Sequence, residues 1–149
     1  MIMKIPLLVW SRFGWPSPYA SVSVIKQRLR PAKLLTLVDS GSPWTVITPS
    51  GTKILKIPIK SLELASRHAR ITFAGHTFQR LLLKNVSIYI MDENKKPKCF
   101  KMPKISILEP IKKVDLTRFP EQMLIGCDFI HIHNLSLYFN PNKSIAYFE

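Results

Sequence analysis

The run Leu34-Leu-Thr-Leu-Val38 ends abruptly at Asp39-Ser-Gly-Ser-Pro43, and Trp44-Thr-Val-Ile47 resumes at once. A nearly continuous apolar run of strand formers suits a strand buried on both faces. A carboxylate set directly at its end must be hydrogen-bonded or paired to stay charged beside an apolar interior. Gly41 lets the backbone turn sharply and brings its amide toward that carboxylate, and the Ser40 hydroxyl can brace the turn. The plain alternative is an ordinary Asp-Ser-Gly turn between two strands. The tripeptide alone does not choose between them.

The surrounding chain is of a size and texture that limits the choice. Its 149 residues suit one domain, residues 1–149, with its own core. Five Gly and 12 Pro fit a fold of short, often interrupted segments better than a helical bundle. No apolar run approaches the roughly 18 residues of a membrane helix. The stretch from Ile5 to Trp10 is broken by Pro6 and closed by Arg12, too short for a signal peptide, so a cytosolic protein is expected. Strands are predicted over Ile5–Trp10, Tyr19–Ile25, Leu34–Val38, Lys60–Leu64, Arg70–Phe73, Phe78–Leu83, Val86–Ile90, Ile105–Leu108 and Gln122–Ile125. A terminal hairpin, Leu135–Phe139 with Ser144–Phe148, is predicted around Asn140-Pro-Asn-Lys143. One short helix is predicted after Gly126, where Asp128 can serve the unpaired amides of the first turn. The polar, lysine-rich segment from Met91 to Lys104 reads as an exposed loop. The fold class is therefore all-β with one short helix.

Charge is the unusual quantity: 22 Lys and Arg against nine Asp and Glu give +13. Such a balance points toward nucleic acid or acidic partners, but aromatic residues do not alternate with the basic clusters as a stacking platform requires. A solvated lysine-rich surface is the simpler reading, and nucleic-acid binding is not the expected role. Cys99 and Cys127 lack metal-site spacing and read as free thiols, one disulfide being the alternative. His131-Ile-His133 leaves a helix, where ligands two apart do not share a face, so no metal and no cofactor is expected. The aromatic residues Trp10, Phe13, Trp15 and Tyr19 suit packing or a substrate- or partner-facing patch.

A second motif joins the first. Leu37-Val38-Asp39-Ser40-Gly41-Ser42 with Val46-Ile47, and later Met123-Leu124-Ile125-Gly126-Cys127-Asp128, resemble the two signature segments of retropepsin-like, retroviral-type aspartic proteases. Their order and relative placement match from about Ile5 to Phe148. Pro43 departs from the small or acidic residue common in that family, and Cys127 stands where viral members often carry arginine. The resemblance implies a closed barrel with a short helix after the Leu124-Ile125-Gly126 segment. It implies peptide-bond hydrolysis with Asp39 as the catalytic group, supported by Ser40, Gly41 and Ser42. By the same resemblance, Ser40 locks two such turns together.

That chemistry needs two carboxylates sharing one proton around a water, and this chain has one Asp-Ser-Gly. Asp92, Asp115 and Asp128 sit in no comparable turn. The resemblance therefore implies a homodimer acting on a peptide or protein substrate, with Asp39 of each subunit in one site. It also implies a covering hairpin, expected over Lys60–Thr72 with its tip at Ala65, Ser66, Arg67 and His68; the turn at Ala74-Gly75-His76 competes for that role. The alternative function is a non-proteolytic module of the same fold that binds nucleic acid or acidic proteins through its basic surface.

Overall fold

The computed structural model describes residues 3–12, 14–65, 70–73, 75–113 and 120–149. Its strands are β1 (Ile5–Arg12), β2 (Trp15–Ile25), β3 (Lys33–Val38), β4 (Val46–Ile47), β5 (Glu63–Leu64), β6 (Arg70–Phe73), β7 (His76–Met91), β8 (Pro97–Pro110), β9 (Met123–Ile125), β10 (Leu137–Asn140) and β11 (Ile145–Phe148). They form one sheet in the order β10-β11-β1-β2-β3-β9-β4-β8-β7-β5, with β6 also on β7. A further pairing of β2 with β7, through Ser23↔Tyr89 to Ile25↔Ser87, closes the middle of this path into a ring.

The ring encloses the apolar residues. Val22, Val24, Leu34, Ile47, Ile88, Met102, Ile105, Ile107, Met123, Ile125 and Phe148 are all within 1% of full burial. Along β2 the alternation of serine and valine separates one buried face from one wetter face. β3 shows the same alternation: Leu34, Thr36 and Val38 are buried, while Leu35 and Leu37 are half-covered.

The expected loop over residues 91–104 is absent, and this is a correction. β7 and β8 form one long hairpin with register from Phe78↔Pro110 to Met91↔Pro97. Its turn is built by Asp92, whose Oδ1 accepts the backbone N–H groups of Asn94 and Lys96 at 2.8 and 2.9 Å, while Lys95 takes a left-handed φ of 60°. Lys96, Lys98, Lys101 and Lys104 gave a polar composition, yet Phe100 is half-covered and Met102 buried on one face of the strand. Alternation decided the structure and average polarity did not.

The short helix expected after Gly126 is α2 (Cys127–Ile132). A further helix that the sequence reading lacked, α1 (Pro49–Leu55), follows β4. Thr48 caps it, accepting from Gly51 N, and Pro49 occupies the first turn, where its missing N–H costs nothing. Lys56 ends it in the left-handed region at φ 54°. Cys99 and Cys127 are both free and exposed. No helix among the described residues is long and apolar enough to cross a membrane.

His133 packs at the end of α2 between Phe100 and Phe129, each ring centroid 5.0 Å away. Its Nε2 is buried without a partner. Burial lowers its pKa, against the opposing effect of a hydrogen bond to the Lys101 backbone. The folded state therefore favours neutral imidazole, and below the ordinary value of about 6.5 the unfolded chain binds more protons. This contribution to stability is complete above that value and is lost as pH falls through the lower, folded value. Thermal unfolding should show wild type losing more stability than His133→Phe between about pH 7.5 and 5. Equal losses in the two proteins would show that His133 does not carry the effect.

Candidate active site

Three short strands hold the Asp39 turn. β9 lies between β3 and β4, parallel to β3 through Leu37↔Leu124 and Val38↔Ile125, and antiparallel to β4 through Val46↔Leu124. This arrangement fixes both ends of the turn to the second motif. Asp39 N donates to Ile125 O at 2.8 Å, and Cys127 N donates to Ser42 O at 2.7 Å. Inside the turn, Ser42 N donates to Asp39 O at 3.0 Å and Gly41 N donates to Asp39 Oδ1 at 3.0 Å. One carboxylate oxygen is thus held by a backbone amide, while the side chain as a whole remains half-buried.

The Gly41 amide approaches the carboxylate as expected, and an added Cβ there would lie 3.3 Å from Asp39 Oδ1. One detail differs from the sequence reading. The intrachain brace is Ser42, whose Oγ donates to Trp44 O at 2.8 Å. Ser40 is exposed, and its carbonyl accepts from Cys127 Sγ at 2.7 Å. Among the described residues its hydroxyl has no partner.

Gly126 is required by close approach. A Cβ there would lie 2.4 Å from Trp44 O and 2.7 Å from Ser42 O, distances that side-chain atoms do not tolerate. The amide of Gly126 donates to Thr45 Oγ1 at 3.1 Å. Thr45 in turn donates its N–H and hydroxyl to Asp128 Oδ1, at 2.8 and 2.7 Å, and the same oxygen accepts Phe129 N at 2.7 Å. Asp128 thereby ties the first turn of α2 to the strand after the Asp39 turn. Thr45 was missed in the sequence, although a threonine inside the Trp44–Ile47 strand was the available signal.

A cavity of about 300 Å3 opens beside Asp39. Its walls include Gly41, Ser42, Pro43, Trp44, Val46 and Leu124, so both motifs meet there. Leu108 of β8 and Ile71 and Thr72 of β6 complete it. Asp39 is the one carboxylate among its described lining residues. Among the described residues no group of three His, Cys, Asp or Glu is arranged to hold a metal.

In the segment expected to be the covering hairpin, the described strands β5 and β6 each pair with β7, through Glu63↔Leu82 and through Arg70↔Gln79 to Phe73↔His76. Ala65 is held by its N–H to Arg80 O at 2.8 Å, and Ser66, Arg67 and His68 lie outside the described residues. The hairpin that reaches the cavity is β6 with the start of β7. It turns between Phe73 and His76, where Gly75 has φ 79°, a conformation that glycine adopts without a Cβ clash.

No family model and no curated protein matches the sequence. The fold is similar to that of a retropepsin-like aspartic protease from Rickettsia conorii, with TM-score 0.57 and 14% identity over 97% of this chain and 89% of that one. It is also similar to the retroviral protease-like domain of Ddi1 from Leishmania major, with TM-score 0.48 and 9% identity over 88% of this chain and 94% of that one. The chain has the retropepsin-like fold.

The fit at Gly126 gives a direct test. Gly126→Ala should lower stability by about 3 kcal/mol, the scale of an overpacked core site, with the loss read by urea denaturation. A change within about 0.5 kcal/mol, the range of a neutral surface substitution, would show that β9 and the Asp39 turn do not need this contact.

Proposed function

We propose that the protein is an aspartic endopeptidase whose active site joins Asp39 of two identical subunits. The observation that carries this reading is the Asp39 turn itself. A carboxylate with one oxygen held by Gly41 N sits at the wall of a groove in which it is the one carboxylate among the described lining residues, on a turn whose backbone is anchored by Asp39 N to Ile125 O and by Cys127 N to Ser42 O. Water between two such carboxylates can be activated without a metal. One carboxylate takes a proton from the water, and the other, protonated, gives its proton to the scissile carbonyl oxygen. Like charges about 3 Å apart cannot both ionise, which assigns the two roles.

The groove of one chain supplies one of the two carboxylates, so a two-fold mate supplies the other. The exposed Ser40 hydroxyl, with no partner among the described residues, suits a contact across that two-fold. The β6–β7 hairpin is the cover, because Ile71 and Thr72 already line the groove. Trp44, Val46, Leu108 and Leu124 provide apolar walls for side chains flanking the scissile bond.

Asp39→Asn keeps the shape of the side chain and removes the base. It should leave a folded dimer, by circular dichroism and light scattering, with cleavage of an unfolded protein lowered about 100-fold or more. Cleavage at a near wild-type rate would exclude Asp39 as the catalytic group. No cleavage by wild type at any pH from acidic to neutral would favour a binding module on the same fold.

A further inference from the structure

Against one wall of the groove, Trp44, stands a cation that does not itself line the cavity and that the hydrolytic chemistry does not use. Arg80 lies two residues from Phe78 on β7, so both side chains leave the same face of the strand. Phe78 is buried with Val46, Leu108 and Leu124, the apolar residues that line the groove beside Asp39. The Arg80 guanidinium carbon stands 3.8 Å from the centroid of the Trp44 ring, itself a groove wall. Nη1 donates to Ser106 Oγ at 3.2 Å.

The rest of the guanidinium is left without a hydrogen-bond partner among the described residues. It has five N–H donors, of which the chain engages one through a side chain. Burial lowers its pKa, while the Asp128 charge works in the opposite direction. Asp128 acts on it through its charge without an ion pair, and its Oδ1 accepts three donors, from Thr45 and Phe129. Among the described residues no carboxylate lies within ion-pair distance of Arg80. An apolar side chain would cover the Trp44 ring without the cost of desolvating a charge. The stacking also holds the planar fork in one orientation, which reduces the entropy lost when it meets a carboxylate.

We propose that Arg80, held against Trp44, is the specificity-determining residue of the groove and selects peptides that place a Glu or Asp side chain beside Trp44. This rests on the groove being a peptide site, and it adds the class of peptide: one carrying an acidic residue near the bond that is cut. Arg80 is a binding residue here and takes no part in activating the water. The acidic side chain would meet the free donors in a bidentate, charge-assisted pair.

The test separates binding from cleavage. Asp39→Asn protein, which holds peptides without cutting them, is titrated with fluorescent peptides that differ at one position, carrying Glu, Gln, Leu or Lys, with that position walked along the peptide. At one position Glu should bind about 10- to 100-fold more tightly than Gln. Adding Arg80→Met should bring that ratio close to one while leaving the Leu peptide's affinity unchanged, and Arg80→Glu should turn the preference toward Lys. A residue that merely props Trp44 would weaken all four peptides together. Absence of any Glu-over-Gln position with Arg80 intact overturns the proposal, as does a preference that survives Arg80→Met. That first comparison needs no folded Arg80 variant. Cleavage of an unfolded protein by wild type, measured in parallel, reports on the protease reading separately: cleavage without a Glu preference removes the Arg80 assignment alone.

Discussion

The Asp39 turn and the start of α2 are positioned by how closely two segments, far apart in sequence, approach at Gly126. The carbonyls of Ser42 and Trp44 stand where a Cβ would be. β9 can therefore lie between β3 and β4 and offer Ile125 O to the Asp39 amide. The same approach delivers Cys127 N to Ser42 O and starts α2 where Asp128 can gather Thr45 and Phe129. Were these segments to separate, the Asp39 turn would lose its anchors at both ends. A carboxylate beside Val46, Leu108 and Leu124 would then be free to swing into water. The geometry is held by short backbone hydrogen bonds within a buried three-strand unit, which is the kind of support that keeps a reacting group in place.

The groove combines this rigid floor with a lighter cover. β3, β4 and β9 contribute fully buried residues such as Ile47, Met123 and Ile125. Among the described residues β6 pairs with β7 alone, and an edge strand with one partner opens at lower cost than a central one. Such a division suits a site that must hold its carboxylate still and admit an extended peptide. The net charge of +13 gives the division a further sense. A strongly basic surface draws acidic chains by long-range attraction, and Arg80 is where that preference would become local and stereochemical.

Much of the fold was legible because its signals are local. Alternation in β2, the apolar run of β3 and the turn residues of the terminal hairpin all act over a few positions, and each stands where the pattern placed it. What escaped depended on contacts between distant residues or on signals that composition masked. The β7–β8 hairpin was hidden by lysines on its wet face, although Phe100 and Met102 kept the strand period. α1 is seven residues long, too short for a helical period to declare itself, and Thr48-Pro49 was its one mark. At the site, the fold brings the two motifs together, and as segments they were readable. The brace by Ser42, the Thr45–Asp128 link and the Arg80–Trp44 stack were not, since each joins a residue to a partner that only the folded chain selects.

The central claim is that one catalytic site is built from two chains, and subunit mixing tests it most directly. Wild-type protein at fixed concentration is combined with an equal amount of Asp39→Asn subunits, with exchange verified by mass-tagged chains. Random pairing places about half of the wild-type chains in mixed dimers. A mixed dimer holds one carboxylate and cannot divide the base and acid roles. The account predicts that proteolytic activity falls to about half although no wild-type chain has been removed. Activity unchanged after verified exchange would contradict it and assign the whole reaction to a single chain.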